Sequence, residues 1–299
     1  MRFLYLCLLS FVFITSCAFS LSRETNLQAA REAKIHKSFA PLPTLHESVT
    51  FPIISAQAAL AIDLDSGVTL YEKDPDKLLL PASTTKIITA LVAMDYYPLD
   101  MVLEVGKFKI EGQKMRLVEG EKITANNLLY GLLIFSANDA AEVLAQNFPG
   151  GRDLFIATMN LKARQLHLEN SNFVNPSGLD GGTHVSTARD LVRVSEIAMQ
   201  NPKFAEIVGT KEKEVKSVDG KISHKLVNIN ELIGSVDGVL GVKTGWTESA
   251  RENLVTYIER NERKIMIAVL ASQDRFGETR ELIGWIFDNY EWKDVVYSP

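Results

Sequence analysis

The pattern of apolar and polar positions divides the chain into a leader, a polar stretch and a long folded region. An apolar run from Phe3 to Ile14 follows one basic residue, Arg2, and gives way to the small residues Ser16, Cys17 and Ala18. A basic start, a short apolar centre and a small-residue end make a secretory signal. The run is shorter than the roughly 20 apolar residues a spanning helix needs. Residues 1–20 are therefore expected to be a signal peptide. Residues 21–50 are polar, with Pro41 and Pro43, and read as a linker outside the core.

Within the folded region, apolar runs at 58–63 and 68–71 flank Asp65-Ser66-Gly67, which predicts a hairpin. Pro81-Ala82-Ser83-Thr84-Thr85-Lys86 opens onto apolar residues 87–94, so a helix should start at Ser83 or beside it and run inward. Residues 123–147 read as one long apolar helical stretch, broken by the polar Ser136-Ala137-Asn138-Asp139, with Thr124 placed to cap its start. Further helices are expected at 154–168, at 187–199 behind Ser186 or Thr187, and at 277–290. Asn175-Pro176-Ser177-Gly178 and Gly181-Gly182 mark an irregular loop. Segments 239–242, 253–258 and 264–270 read as strands. Strands at both ends with helices between predict an α/β (α+β) domain over 51–295: one antiparallel sheet of N- and C-terminal strands flanked by helices, with an all-helical subdomain.

Composition narrows the function. The 299 residues carry Lys+Arg 32 against Asp+Glu 37, a formal charge of −5, and 46% hydrophobic residues. That excludes a disordered chain, and it argues against nucleic acid as a partner, since phosphate neutralisation calls for a basic surplus. The cysteines are Cys7 and Cys17, both in the leader, so the folded part can hold neither a disulfide nor a thiolate metal site. Ile14-Thr15-Ser16-Cys17 resembles a bacterial lipobox. A lipoprotein signal over 1–16 with an acylated Cys17 thus stands beside an ordinary cut near Ala18 or Ser20.

The five histidines form no paired metal spacing, and neither a Gly-x-Ser-x-Gly elbow nor a phosphate-binding glycine loop occurs. No metal and no organic cofactor is expected. Three short motifs remain: Ser83-x-x-Lys86, Ser136-x-Asn138 and Lys243-Thr244-Gly245. Singly each is common. Together and in this order they are the set found in class A β-lactamases and penicillin-binding proteins.

The likeness extends over about 58–292. Leu128-Leu129-Tyr130-Gly131-Leu132-Leu133-Ile134 leads into Ser136-Ala137-Asn138-Asp139. Phe173-Val174-Asn175-Pro176-Ser177-Gly178-Leu179-Asp180 is followed by His184 and by Ser186-Thr187-Ala188-Arg189-Asp190. Asp237-Gly238-Val239-Leu240-Gly241-Val242 precedes Lys243-Thr244-Gly245-Trp246. On these residues the chain resembles the D-alanyl-D-alanine carboxypeptidases, low-molecular-weight penicillin-binding proteins with a β-lactamase/transpeptidase-like fold.

The resemblance implies a serine peptidase that acts on peptidoglycan stem peptides through an acyl-enzyme and is acylated by β-lactam antibiotics. Physical chemistry agrees with the roles it implies. A serine hydroxyl needs a base, and residues three apart on a helix share a face, so Lys86 can reach Ser83. Burial and the second cation Lys243 should both lower the Lys86 pKa. Ser136 would relay a proton to the leaving amine, and Asn138 would hold a substrate amide. Lys243 and Thr244 would meet a carboxylate, while Gly245 would let a peptide approach the strand edge. The backbone N–H groups of Ser83 and Trp246 would form the oxyanion hole. Arg275 is a weaker candidate for the terminal carboxylate, and His184 is expected to be structural.

Two departures stand out. Arg251 follows Ala250 where many relatives have Gly, which questions the local strand geometry or substrate choice. The chain also stops at Pro299, so the C-terminal β-domain of many relatives is expected to be missing, leaving attachment to the N-terminus. Removal of a terminal D-Ala is the leading reading. Cleavage of cross-links as a D,D-endopeptidase is the alternative, ahead of a β-lactamase or an inactive wall-binding protein. No Glu-x-x-Leu-Asn segment lies between Asn138 and Lys243 to activate a deacylating water, so a long-lived penicilloyl adduct is expected.

Overall fold

The hairpin expected around Asp65-Ser66-Gly67 forms, with Asp63 buried beneath it and accepting from the Ser66 N–H at 3.0 Å. It is seen in a computed structural model, which describes residues 40–295. The leader and most of the expected linker lie outside the described residues.

In chain order, β1 (Leu42–Leu45), β2 (Ala58–Asp63) and β3 (Thr69–Lys73) come first. A single turn of 3-10 helix at Ala82–Thr85 then runs into α1 (Lys86–Tyr96). The short strands β4 (Val102–Glu104) and β5 (Lys122–Thr124) precede α2 (Ala125–Leu133), α3 (Asn138–Gln146), α4 (Gly151–Gln165), α5 (Ala188–Met199) and α6 (Pro202–Val208). Next are β6 (Glu212–Lys216), β7 (Ser223–Val227), β8 (Val239–Thr247), β9 (Arg251–Arg260) and β10 (Arg263–Ser272), and last α7 (Arg275–Asn289) and β11 (Tyr290–Lys293).

The principal sheet has the order β3-β2-β10-β9-β8 and every pairing in it is antiparallel. Its two end strands come from the two ends of the fold, as expected. Alternation along the strands explains why it is buried on both faces. Ala58 and Leu60 of β2 and Met266, Ala268 and Leu270 of β10 join the larger core with the helices. Their neighbours Ala59, Ala61, Ile265, Ile267 and Val269 point the other way, into a second core closed by Leu282, Ile283 and Ile286 of α7. Burying each such Leu or Ile contributes about 1.5–3 kcal/mol. α1 is buried from Lys86 through Ala93. Over that stretch the helix has no solvent face and is apolar all round apart from Lys86 and Thr89, whereas Asp95 and Tyr96 at its end are exposed.

Several boundaries differ from the sequence expectation. Part of the expected linker is a strand: Leu42–Leu45 pairs antiparallel with Tyr290–Lys293, setting Leu45 opposite Tyr290. Pro43 hid it, yet a two-stranded edge ribbon tolerates a missing N–H. The single stretch 123–147 is two helices, parted at Ser136, whose φ is 61°. Thr124 does cap α2, accepting from Asn127 N at 3.3 Å, and Thr187 caps α5, accepting from Asp190 N at 3.1 Å. α6 was not foreseen despite an Asn201 cap and Pro202 at its first position. The strand read over 239–242 continues to Thr247, so the Lys243-Thr244-Gly245 motif lies inside β8.

Candidate active site

The turn that carries Ser83 is wedged between β8, β9 and the 175–179 loop. Thr84 closes it, donating to the Pro81 carbonyl from its N–H (3.2 Å) and its hydroxyl (2.7 Å). Asn253 of β9 donates to the Leu80 carbonyl at 2.9 Å. Ala82 is held at φ 48°, a left-handed conformation that costs a residue with a Cβ roughly 1–2 kcal/mol. The result is a half-buried Ser83 between fully buried neighbours, facing a cleft of about 620 Å³.

Two glycines make this wedge possible. A Cβ on Gly178, at φ +85°, would stand 1.9 Å from the Ala82 carbonyl oxygen. One on Gly245 would stand 2.9 Å from the Pro81 oxygen and 3.1 Å from the Ser83 nitrogen. Gly245 therefore serves close packing of strand on nucleophile turn, a reason beyond the substrate approach expected from sequence.

Lys86, one helical turn on, is fully buried. Its ammonium donates to Ser83 Oγ at 2.8 Å, to Asn138 Oδ1 at 2.7 Å, and to the Ser177 carbonyl. Burial lowers its pKa from 10.5 to about 7, against the opposing pull of Asp139 and Glu142. The repulsion between Lys86 and Lys243 expected from the sequence is present. Burial, then the Lys86 charge, then Arg275 hold Lys243 well below the ordinary lysine value. Ser136 sits between the two motifs, accepting from Lys243 Nζ at 2.9 Å. Lys243 also donates to the Thr244 carbonyl at 2.9 Å.

Asn138 is more engaged than the sequence implied. Its Oδ1 receives Lys86, its Nδ2 donates to the Glu111 carbonyl at 2.8 Å, and its backbone N–H donates to the Gln113 carbonyl at 2.7 Å. One amide hydrogen and one lone pair remain for a ligand.

At the other side of the cleft the Thr244 hydroxyl is buried without a partner. Arg275, the weaker candidate, is brought beside it: its Nη1 donates to the Gly245 carbonyl at 2.9 Å, its Nε is unpartnered, and it lines the cleft. An orphaned hydroxyl and a half-buried guanidinium suit a carboxylate. Trp246, 62% exposed, forms part of the same wall. β8 is the outer strand of the sheet, so its second edge is open to an extended peptide.

His184 accepts from the Val174 N–H at Nδ1 (3.0 Å), so its Nε2–H donates to Thr85 Oγ1 (2.8 Å). Desolvation lowers its pKa to about 4, and a neutral ring pins the loop to the nucleophile turn, the structural part expected of it. Arg251 is exposed and outside the cleft lining, at φ 58°, the region that favours glycine. The departure thus bears on local strand geometry, while its side chain stays in solvent.

The sequence reasoning missed three contributors. Asn175 Oδ1 accepts from Ser177, Gly178 and Leu179 N–H, an Asx turn that aims the Ser177 carbonyl at Lys86. The Asn-Pro-Ser-Gly string carried that signal. Thr247 Oγ1 donates to Asp180 across the cleft mouth at 2.8 Å. Asp139 gathers the 115–117 backbone, a contact no spacing reveals.

Comparison with known proteins agrees with this geometry. A family model described as D-alanyl-D-alanine carboxypeptidase matches residues 46–274. The chain belongs to that family. It is 39% identical over 227 residues to a D-alanyl-D-alanine carboxypeptidase of Mycobacterium tuberculosis, covering 75% of this chain and 77% of the relative. It is 35% identical over 230 residues to a D-alanyl-D-alanine endopeptidase of Pseudomonas aeruginosa, covering 75% and 73%. The crystal structure of the Streptomyces K15 DD-transpeptidase superposes with a TM-score of 0.76 at 32% identity, covering 80% of this chain and all of that one. The family shares this five-stranded antiparallel sheet with helices, and its members are serine D-Ala-D-Ala peptidases.

Proposed function

We propose that this chain is a D-Ala-D-Ala carboxypeptidase that releases the terminal D-alanine of peptidoglycan stem peptides. The observation that carries the proposal is a fully buried lysine, with a pKa near neutrality, hydrogen-bonded to a half-buried serine in a cleft that also holds the unpartnered Thr244 hydroxyl and the Arg275 guanidinium. Neutral Lys86 takes the Ser83 proton as Oγ attacks the carbonyl of the penultimate D-Ala. The oxyanion lies against the N–H groups of Ser83 and Trp246. The proton passes by way of Ser136 to the leaving amine, the C–N bond breaks, and D-alanine departs, leaving an ester on Ser83. Water then hydrolyses the ester with Lys86 again as base. Thr244 and Arg275 receive the carboxylate of the departing residue, and Asn138 holds the acyl-side amide.

The endopeptidase relatives favour a second reading, cleavage of a cross-link by the same chemistry. Incubation with a pentapeptide and with a cross-linked dimer separates the two. Free D-alanine from the pentapeptide supports the carboxypeptidase. Dimer cleavage without D-alanine release overturns it in favour of the endopeptidase. We further propose export, with the mature chain free or held through acylated Cys17. Mass spectrometry of the mature N-terminus tests this: an intact Met1 overturns export, and an unmodified start beyond Cys17 overturns the anchor.

A further inference from the structure

Asp139 directly follows Asn138, yet it faces away from the cleft. It is 3% exposed, and no ion pair to it occurs among the described residues. Its Oδ1 accepts from the N–H groups of Met115 (3.0 Å) and Ala140 (3.0 Å), and its Oδ2 from those of Arg116 (2.8 Å) and Leu117 (3.1 Å). Three consecutive N–H groups of one loop thus converge on one carboxylate, with Arg116 held at φ 67°. Two to four residues upstream of that anchor, the same loop supplies Gln113 and Glu111. Their carbonyls fix Asn138, whose Oδ1 in turn receives Lys86.

We propose that Asp139 is a positioning residue of this site: its carboxylate fixes the 111–117 wall that orients Asn138 against Lys86, and it stands behind that contact as a buried acid without a counter-ion. The inference rests on the reading of Lys86 as the base of Ser83.

A charge is needed because the surroundings of Lys86 otherwise expel its proton. The ammonium is buried, its direct partners are neutral oxygens, and Lys243 on β8 and neutral His184 in the 175–184 loop offer it no anion. The acids whose charge opposes that expulsion are Asp139 and Glu142, both on α3. Glu142 is offset by Arg152, whose Nε lies 2.8 Å from its carboxylate. Asp139 has no such counter-ion. A lysine stripped of that charge would be neutral at every physiological pH but too weak a base to draw the proton from Ser83.

The test is the pH profile of single-turnover acylation by a fluorescent penicillin. In Asp139→Asn the acidic limb should move down by roughly one pH unit and the plateau should fall about tenfold. A purely structural residue would lower the plateau and leave the limb in place, and that result overturns the inference. Asp139→Glu keeps the charge but lengthens the arm, so its limb should stay at the wild-type position with a lower plateau. Should Asp139→Asn not fold, the Glu variant decides: a limb displaced by more than about half a unit, or an unchanged plateau, overturns the inference. Glu142→Gln, already screened by Arg152 and free of the 115–117 loop, should move the limb less than Asp139→Asn. A wild-type profile with no limb near neutrality would instead sink the reading of Lys86 as base.

Discussion

Acylation by penicillin should follow the titration of one buried lysine. The perturbation is pH alone. With its pKa lowered to about 7, Lys86 is neutral in about half the molecules at pH 7, about one in eleven at pH 6 and about one in a hundred at pH 5. Left at 10.5, it would be neutral in only about three in ten thousand at pH 7. Burial therefore raises the available base by roughly three orders of magnitude, about 4 kcal/mol of barrier if all of it reaches the transition state. The single-turnover rate, followed by stopped-flow fluorescence, should fall about 50-fold from pH 7 to pH 5 and level off above about pH 8. Thermal melts at each pH guard against unfolding. They are needed because His184, lowered to about 4, leaves the folded state with fewer bound protons than the unfolded chain between about pH 4 and 6.5, so stability declines as the pH falls through that window. The Lys86 shift has the same sign higher up: the folded state binds fewer protons between about 7 and 10.5, and stability rises with pH there. A rate that climbs tenfold per unit through pH 8 to 9 would refute the reasoning, because it would mean that Lys86 titrates as an ordinary lysine.

Three substitutions probe other parts of the site. Gly245→Ala sets a Cβ 3.1 Å from the Ser83 nitrogen, so the nucleophile turn must shift; acylation should drop about 100-fold, and a wild-type rate would refute the wedge. Arg275→Ala should lower kcat/KM for a peptide with a free terminal carboxylate by roughly 10- to 100-fold, the worth of a charge-assisted hydrogen bond. A peptide amide should lose little, and equal losses on both would deny Arg275 the carboxylate. Arg251→Gly relieves a left-handed residue at the cost of some chain entropy, so a melt should show a gain of up to about 1 kcal/mol, and destabilisation would refute the strain.

Legibility in the sequence followed the range of the interaction. The 58–73 hairpin, α1 and the Thr124 and Thr187 caps depend on residues within a few positions, and they read directly from the order of residues. The three motifs were visible because each is a local spacing, and the fold brings them together across separations of 52 residues for Lys86 with Asn138 and 107 for Lys243 with Ser136. What stayed hidden was nonlocal. β1 forms only because β11 arrives from the far end of the chain. The break at Ser136 looks like a polar interruption of a helix until its left-handed φ is seen. Asp139 reads as an ordinary first-turn helix acid, and its part emerges only when residues 115–117 fold back upon it.

The central claim is that Ser83, activated by Lys86, becomes covalently acylated. Brief exposure to penicillin followed by intact-mass measurement and peptide mapping tests it most directly. The account predicts one penicilloyl group per chain, on the peptide containing Ser83, stable for long enough to isolate and missing from Ser83→Ala. An unmodified wild-type protein, or an adduct that persists on another residue when Ser83 is removed, would contradict it.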